Sequence, residues 1–342
     1  MHITMFTNIQ ILRALAAILV VFHHAAPHYH AMSGNFAWFS YIASYGFTGV
    51  DIFFVISGFI IANTTFQKKR TWLSAKLFLH HRLARIFIAY WIFLALTWII
   101  FALFSPGKLI NIDLLGSIFL INTNMFELLL PISWSLTYEL YFYFIFVLLF
   151  VFPVGLVKVL IHVLLACMLL RIKFIWIDSG FAYFFLSHFL VEFLAGAILY
   201  IHRERFNSLW IALILALTSI IGYVYGIQTE ALNNSPRVLS FGVGAIALVG
   251  LAITLENCNL RCTIERLIDI GNASYTIYLS HLLFLTLFYS SGIRNFLSNQ
   301  YWLIGEIGFF TYIAVIVLIS ILFYKKIEFP IYKKMISNSK AD

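Results

Sequence analysis

Charge is what this chain most lacks. Asp, Glu, Lys and Arg make up 11% of its 342 residues, whereas a soluble domain carries about 25%. Hydrophobic residues account for 62% and aromatics for 18%, so a soluble globular protein is excluded and little chain is left for a separate soluble domain. Cysteine is nearly missing too. Of three, Cys167 sits in an apolar run and Cys258 and Cys262 form a lone C-x3-C. That excludes a disulfide framework and gives zinc only weak support. There is no GxGxxG, no P-loop and no GxSxG elbow, which removes the usual dinucleotide, phosphate-loop and α/β-hydrolase readings. Heptads, low-complexity linkers and internal repeats are absent as well. The start of the chain has no basic n-region, so its apolar run before Ala25-Ala26-Pro27 reads as a retained first span and not as a signal peptide.

What remains is apolar sequence in span-length runs. Ten fall at approximately 9–27, 43–65, 79–104, 134–153, 155–171, 183–201, 207–226, 238–256, 273–293 and 303–325. The expected fold class is therefore all-α: a polytopic membrane protein of about ten transmembrane helices in a single domain, 1–342. Leu109–Leu130 is also apolar, but Asn111, Asp113, Asn122, Asn124 and Glu127 interrupt it, so it reads as a re-entrant or interfacial piece. With the N-terminus inside, sixteen Lys and Arg fall at inner loops and helix ends. Five, namely Lys108, Arg171, Lys173, Arg237 and Arg294, fall outside, and Arg13 lies within the first span. This bias follows the positive-inside rule, places both termini in the cytoplasm, and accounts for most of the net charge of +8 without nucleic acid.

Ionisable side chains inside a span are costly, and are kept where they pair, line a wet cavity or do chemistry. In the first span, Arg13 and His24 stand almost three helical turns apart. They share a face roughly 16 Å long, while His23 points about 80° away. In the second span, Asp51 reads either as an interfacial carboxylate or as a partner that orients His24. Arg82 and Arg85 share a face at the N-terminal end of the third span. They read either as positive-inside anchors or as a phosphate site with Lys76 and His81. Ser135 and Glu139 share a face before the fourth span, where Glu139 could instead pair with an arginine. His188 and Glu192 in the sixth span suggest a buried ion pair. Ser274, Tyr278 and His281 form a polar stripe on the ninth, read either as interior hydrogen bonding or as a substrate path. Glu328 and Pro330 suggest an ordered inner tail. His23, His24, His28 and His30 raise a metal reading. No carboxylate or cysteine stands near them in sequence, and His28 and His30 follow Pro27 into a loop, so no metal is expected.

Taken together, these residues resemble acyltransferase family 3, the integral membrane O-acyltransferases. The resemblance rests on Arg13-x10-His24, the GVDIFFVISGF run at 49–59, Arg82-x2-Arg85, WSLTYE ending at Glu139, EFLAG from Glu192, ASYTIYLSH ending at His281, and IEFP at 327–330. The start of the chain is most similar to the exopolysaccharide and lipopolysaccharide O-acetyltransferase branch. The resemblance implies an acyl-CoA donor, usually acetyl-CoA, and transfer to a hydroxyl of a surface or exported carbohydrate such as exopolysaccharide, O-antigen or a lipid-linked glycan. It implies a multi-pass protein of the bacterial cytoplasmic membrane, with Arg13 and His24 critical and Arg82 and Arg85 in the donor site. It also implies Ser135 and Glu139 as its Ser-x3-Glu pair. Tyr138 departs from the pattern, since many relatives carry an acidic residue there. Some members carry an extracytoplasmic hydrolase-like domain, and none is expected here.

The chemistry then expected has His24 acting as general base, or as an acyl relay, on the acceptor hydroxyl. Asp51 or Glu139 would orient it, and Arg13 or Ser135 would steady the oxyanion. Two other classes compete. A secondary transporter of a sugar or acyl compound would also have many spans with buried charge, but would show inverted repeats or paired broken helices. A non-catalytic scaffold would leave Arg13, His24, Arg82 and Arg85 unused.

Overall fold

The computed structural model describes residues 6–32, 36–174, 184–232 and 234–338. Lys340, residue 183 at the start of the sixth expected span, and the Lys173 side chain fall outside the described set. Among the described residues there is no strand. In chain order the helices are α1 Thr7–Ala31, α2 Ala37–Ser44, α3 Gly49–Thr65, α4 Trp72–Phe104, α5 Leu114–Phe119, α6 Trp134–Leu149, α7 Val154–Phe174 and α8 Phe189–Ile201. Then follow α9 Leu209–Gln228, α10 Asn234–Arg237, α11 Val243–Asn257, α12 Glu265–Asn272, α13 Ser274–Ser290, α14 Ile293–Ser298, α15 Trp302–Phe323 and α16 Phe329–Asn338.

Eight helical segments among the described residues are long and apolar enough to cross a membrane. The chain is thus an all-α, polytopic membrane protein. The sixth and ninth expected spans are helical but shorter, with 13 and 17 residues. Pro27 does not end the first span. The helix continues to Ala31 with Pro27 inside it, forgoing one backbone hydrogen bond. His28 is therefore helical, one turn beyond His24, and not in a loop as its position after Pro27 suggested.

Two compact units are present. The first comprises Met1–Ala16, Thr48–Phe78 and Phe142–Ile268, and the second Ala17–Phe47, Leu79–Tyr141 and Asp269–Asp342. In the first unit, α3 and α8 pack backbone to backbone. A Cβ on Gly58 would run into the Phe193 carbonyl, and one on Gly196 into the Val55 carbonyl, so both glycines are what let the helices approach so closely. The Glu256 carboxylate caps the start of α1, accepting from the Thr7 and Asn8 backbone N–H groups at 3.1 and 2.9 Å. These are orphan donors at the positive end of a helix dipole.

In the second unit, the interrupted stretch before α6 folds as a polar-stapled loop and not as a span. Asp113 caps α5, accepting from Gly116 N at 2.8 Å and from Asn122 Nδ2 at 2.9 Å. Asn122 and Asn124 donate to Glu127 at 3.0 and 2.7 Å. These bonds hold the Asp113 carboxyl below the usual carboxylate range, the Gly116 N–H first and Asn122 second.

Candidate active site

In the second unit, α13 acts as a polar ladder. Near its start, the Thr276 hydroxyl donates a short bond to Glu328. Glu328 also accepts from Arg85 Nη1 at 3.0 Å, and the Arg85 guanidinium lies over the Tyr275 and Tyr324 rings at 5.7 and 5.8 Å. Arg85 therefore has a carboxylate partner, and Glu328, which the sequence marked only as part of an ordered tail, belongs to its setting. Among the described residues only Nη1 is used, so Nε and Nη2 keep their donor capacity. Arg82 is half-buried on the same helix.

One step along α13, the Tyr278 hydroxyl donates to the Ile132 carbonyl and bonds Ser135 Oγ, both at 2.8 Å. Ser135 lies in the first turn of α6, just after the 3₁₀ turn Pro131–Ser133. Its proton goes to Tyr278 or to Ile132 O at 3.2 Å, so it is not poised as an oxyanion donor. Glu139 is half-buried a turn further on.

At the middle of α13, the His281 ring faces His24 with centroids 5.0 Å apart. Each ring places Nδ1 on the carbonyl four residues earlier: His24 on Val20 O at 3.0 Å, His281 on Ile277 O at 3.2 Å. A neutral imidazole bonded this way carries its proton on Nδ1 and its lone pair on Nε2. The His281 side chain is fully buried, and its Nε2 makes no hydrogen bond. A half-buried His24 thus stands against a fully buried His281, each with its Nε2 lone pair. His23 instead ties α1 to α2 through Ala43 O at 2.9 Å.

One turn further along both helices, His28 and Leu285 line a cavity of about 310 Å³, together with Thr97, Ser105, Lys108 and Tyr289. That size lies at the lower end of the range for small-molecule sites, about 300–1,000 Å³. His28 Nδ1 is buried and unbonded, and Lys108 Nζ stands 4.9 Å from the Phe101 ring centre.

Asp51 and Arg13 belong to the first unit. The expectation offered Asp51 or Glu139 as the group that orients His24, and the bonds of His24 and Asp51 run elsewhere. The orienting group is the Val20 carbonyl, while both Asp51 oxygens accept from Arg237, at 2.9 Å from Nε and 2.8 Å from Nη2. Glu192, fully buried, adjoins this pair. His188, expected to partner Glu192, instead bonds Arg171 Nη1 at 3.0 Å and Ser235 at 2.9 Å. Arg13 Nη1 reaches Gln10 Oε1 at 3.5 Å.

Arg237 and Glu328 were missed as partners. Both stand at the edge of a π turn, at Val238–Gly242 and Tyr324–Glu328, a distortion common at functional sites and invisible to helical periodicity. Among the described residues no group of three His, Cys, Asp or Glu could hold a metal.

The chain is 34% identical to the "Peptidoglycan O-acetyltransferase OatA" of Listeria monocytogenes, over 39% of this chain and 22% of that protein. It is 26% identical to the "O-acetyltransferase OatA" of Staphylococcus aureus, over 94% of this chain and 56% of that protein. The chain therefore spans about half the length, or less, of the curated relatives it matches. No solved structure matches it. The family described as "Acyltransferase domain" matches residues 6–325, and with nearly the whole chain covered, this protein belongs to that membrane acyltransferase family.

Proposed function

We propose that this protein is a membrane O-acetyltransferase that moves an acetyl group from acetyl-CoA to a hydroxyl of a surface or exported carbohydrate at the bacterial cytoplasmic membrane. The observation that carries the reading is the α13 ladder, with a guanidinium at one end, two imidazole lone pairs in the middle and a sugar-sized cavity beyond them.

In this reading Arg82 and Arg85 take the CoA phosphates. Arg85 uses the donors left free by its bond to Glu328. The acceptor glycan enters the cavity, where Tyr289 and Phe101 offer ring faces and His28, Thr97 and Ser105 offer hydrogen bonds. His24 Nε2 removes the acceptor hydroxyl proton as its oxygen attacks the thioester carbonyl. The C–S bond breaks, and the proton passes from His24 to the CoA sulfur, leaving an ester and free CoA. His281 keeps a second neutral imidazole against His24, so the pair can share that proton. Tyr278 and Ser135 fix the wall beside it. Arg13, eleven residues before His24 on the helix, is assigned to the donor arm. The same lone pair would also serve a covalent relay through His24.

The acceptor is assigned as a glycan exposed outside the membrane. The name of the Listeria relative adds peptidoglycan to the exopolysaccharide and O-antigen classes suggested by the sequence.

The test uses full-length protein in micelles with labelled acetyl-CoA and isolated wall or polysaccharide acceptors. Label should pass to glycan without any ion gradient. His24→Ala and His24→Gln should each lose about 10²–10⁴-fold, the range for a general acid–base group. Transfer retained in both variants overturns the role of His24. Absence of transfer to every glycan, with gradient-driven sugar uptake in vesicles, overturns the activity in favour of a transporter.

A further inference from the structure

A second pocket belongs to the first unit. Its cavity, about 530 Å³, lies where α7 meets the turn after α8, and Lys158, His162, His202 and Arg205 line it with Val159 and Val163. Lys158 and His162 are one turn apart on α7. His162 Nδ1 bonds the Lys158 carbonyl at 2.7 Å, so its proton sits there and its Nε2 accepts. His202 Nε2 supplies the proton across 3.0 Å. The rings stand edge to face, with centroids 5.2 Å apart.

The pocket is net cationic, with Lys158 and Arg205 against one lining carboxylate, Glu204. Glu204, which also lines it, is turned to Arg203 at 3.2 Å. Among the described residues neither Lys158 nor Arg205 has an acidic partner within ion-pair distance. The field is felt by His202, whose imidazolium is disfavoured by partial burial first and then by Arg205, His162 and Lys158.

The neighbouring surface is of the opposite kind. Leu156, Val159 and Val163 on α7 are 44%, 57% and 50% exposed. On a membrane-spanning helix that face meets acyl chains. A soluble anion needs only the cations. A basic pocket at a helix end continuous with an apolar, lipid-facing lane matches a molecule that has both parts.

We propose that this pocket is a binding site for an anionic phospholipid. Lys158 and Arg205 hold the phosphate, the His162–His202 pair meets headgroup hydroxyls, and the acyl chains run along Val159 and Val163. No residue is shared with the proposed acetyl-transfer site, so the two readings stand or fall separately.

Native mass spectrometry of the full chain, released from micelles containing equimolar dioleoylphosphatidylglycerol and dioleoylphosphatidylcholine, tests it. The phosphatidylglycerol adduct should survive activation preferentially. Lys158→Gln and Arg205→Gln should each weaken it about fivefold, the attraction of one basic side chain to an anionic lipid surface, and together about 25-fold. Lys326→Gln should leave it unchanged. Both pocket residues are exposed, and unchanged melting of the double variant establishes that the fold is intact. Equal retention of the two lipids, or full retention in the folded double variant, overturns the site. Displacement of the lipid by millimolar inorganic phosphate that is itself retained makes this a free-anion site and overturns the lipid assignment.

Discussion

The bond between Arg237 and Asp51 joins residues 186 positions apart, with both carboxylate oxygens engaged and Asp51 fully buried. Breaking a buried pair by removing one partner costs about 3–5 kcal/mol, because the survivor is left uncompensated. Glu192 makes the two halves unequal. In Asp51→Asn, Arg237 still has Glu192 beside it. In Arg237→Gln, the buried Asp51 charge is left without its cation and with the acidic Glu192 beside it. Arg237→Gln should therefore lower the melting temperature in detergent more than Asp51→Asn, and the reverse order would show that Glu192 does not share the guanidinium. The polar members of the candidate site stand out in the sequence. His24, Ser135, Tyr278 and His281 were legible because each is a costly residue in an apolar run. Their partners were less so. Asp51 was offered to His24, since both fall in the outer half of their spans, but Arg237 starts the eighth span at the same level and is a cation for an anion. That His24 is oriented by its own helix carbonyl leaves no trace in residue types at all.

Helix pairing in the first unit rests on α3 and α8, where two glycines face the partner's carbonyls. Gly196→Val should force the helices apart or distort them, at about 1–3 kcal/mol for an overpacked interface. Gly155→Val, whose added Cβ would meet nothing within 4 Å, should leave thermal stability nearly unchanged. Equal losses would mean that helix propensity, not close approach, sets the cost. The loop between α4 and α6 gives a pH-dependent element. Asp113 is held below its usual range by Gly116 N–H and then Asn122. A depressed folded value contributes stability above the ordinary carboxylate range, near 3.9, and that contribution is lost as pH falls through the folded value. Amide exchange across 113–127 should therefore stay protected to just below pH 4 and quicken on further acidification. In Asp113→Asn it should be fast throughout, with no such step. The polar interruptions at Asn111, Asp113, Asn122, Asn124 and Glu127 were enough to read this stretch as something other than a span. Pro27 misled in the opposite direction. A proline usually marks a boundary, yet tertiary packing carries α1 four residues past it, and that extension places His28 in the cavity wall.

For the whole molecule, the ten apolar runs and the all-α class followed from hydropathy alone, because backbone polar groups in lipid can be satisfied by helices. The division into two compact units did not, since α1, α4 and α6 each contribute to both and no linker or composition change marks it. Sidedness is the property on which the proposed direction of transfer depends. Within the second unit, Arg85, Glu328 and the Lys325–Asp269 pair, at 2.6 Å, stand toward the start of α13, and the cavity stands toward its other end. In the proposed reading, the positive-inside bias would turn the first end to the cytoplasm and its acyl-CoA, and the cavity to the outside and its glycan. In a background lacking Cys167, Cys258 and Cys262, a membrane-impermeant maleimide should label Phe126→Cys, whose native side chain is 85% exposed, in intact cells. It should label Lys326→Cys only after permeabilisation. The opposite pattern would put the arginines outside, away from any acyl-CoA pool, and would make the transfer direction argued from α13 untenable even if His24 proved essential.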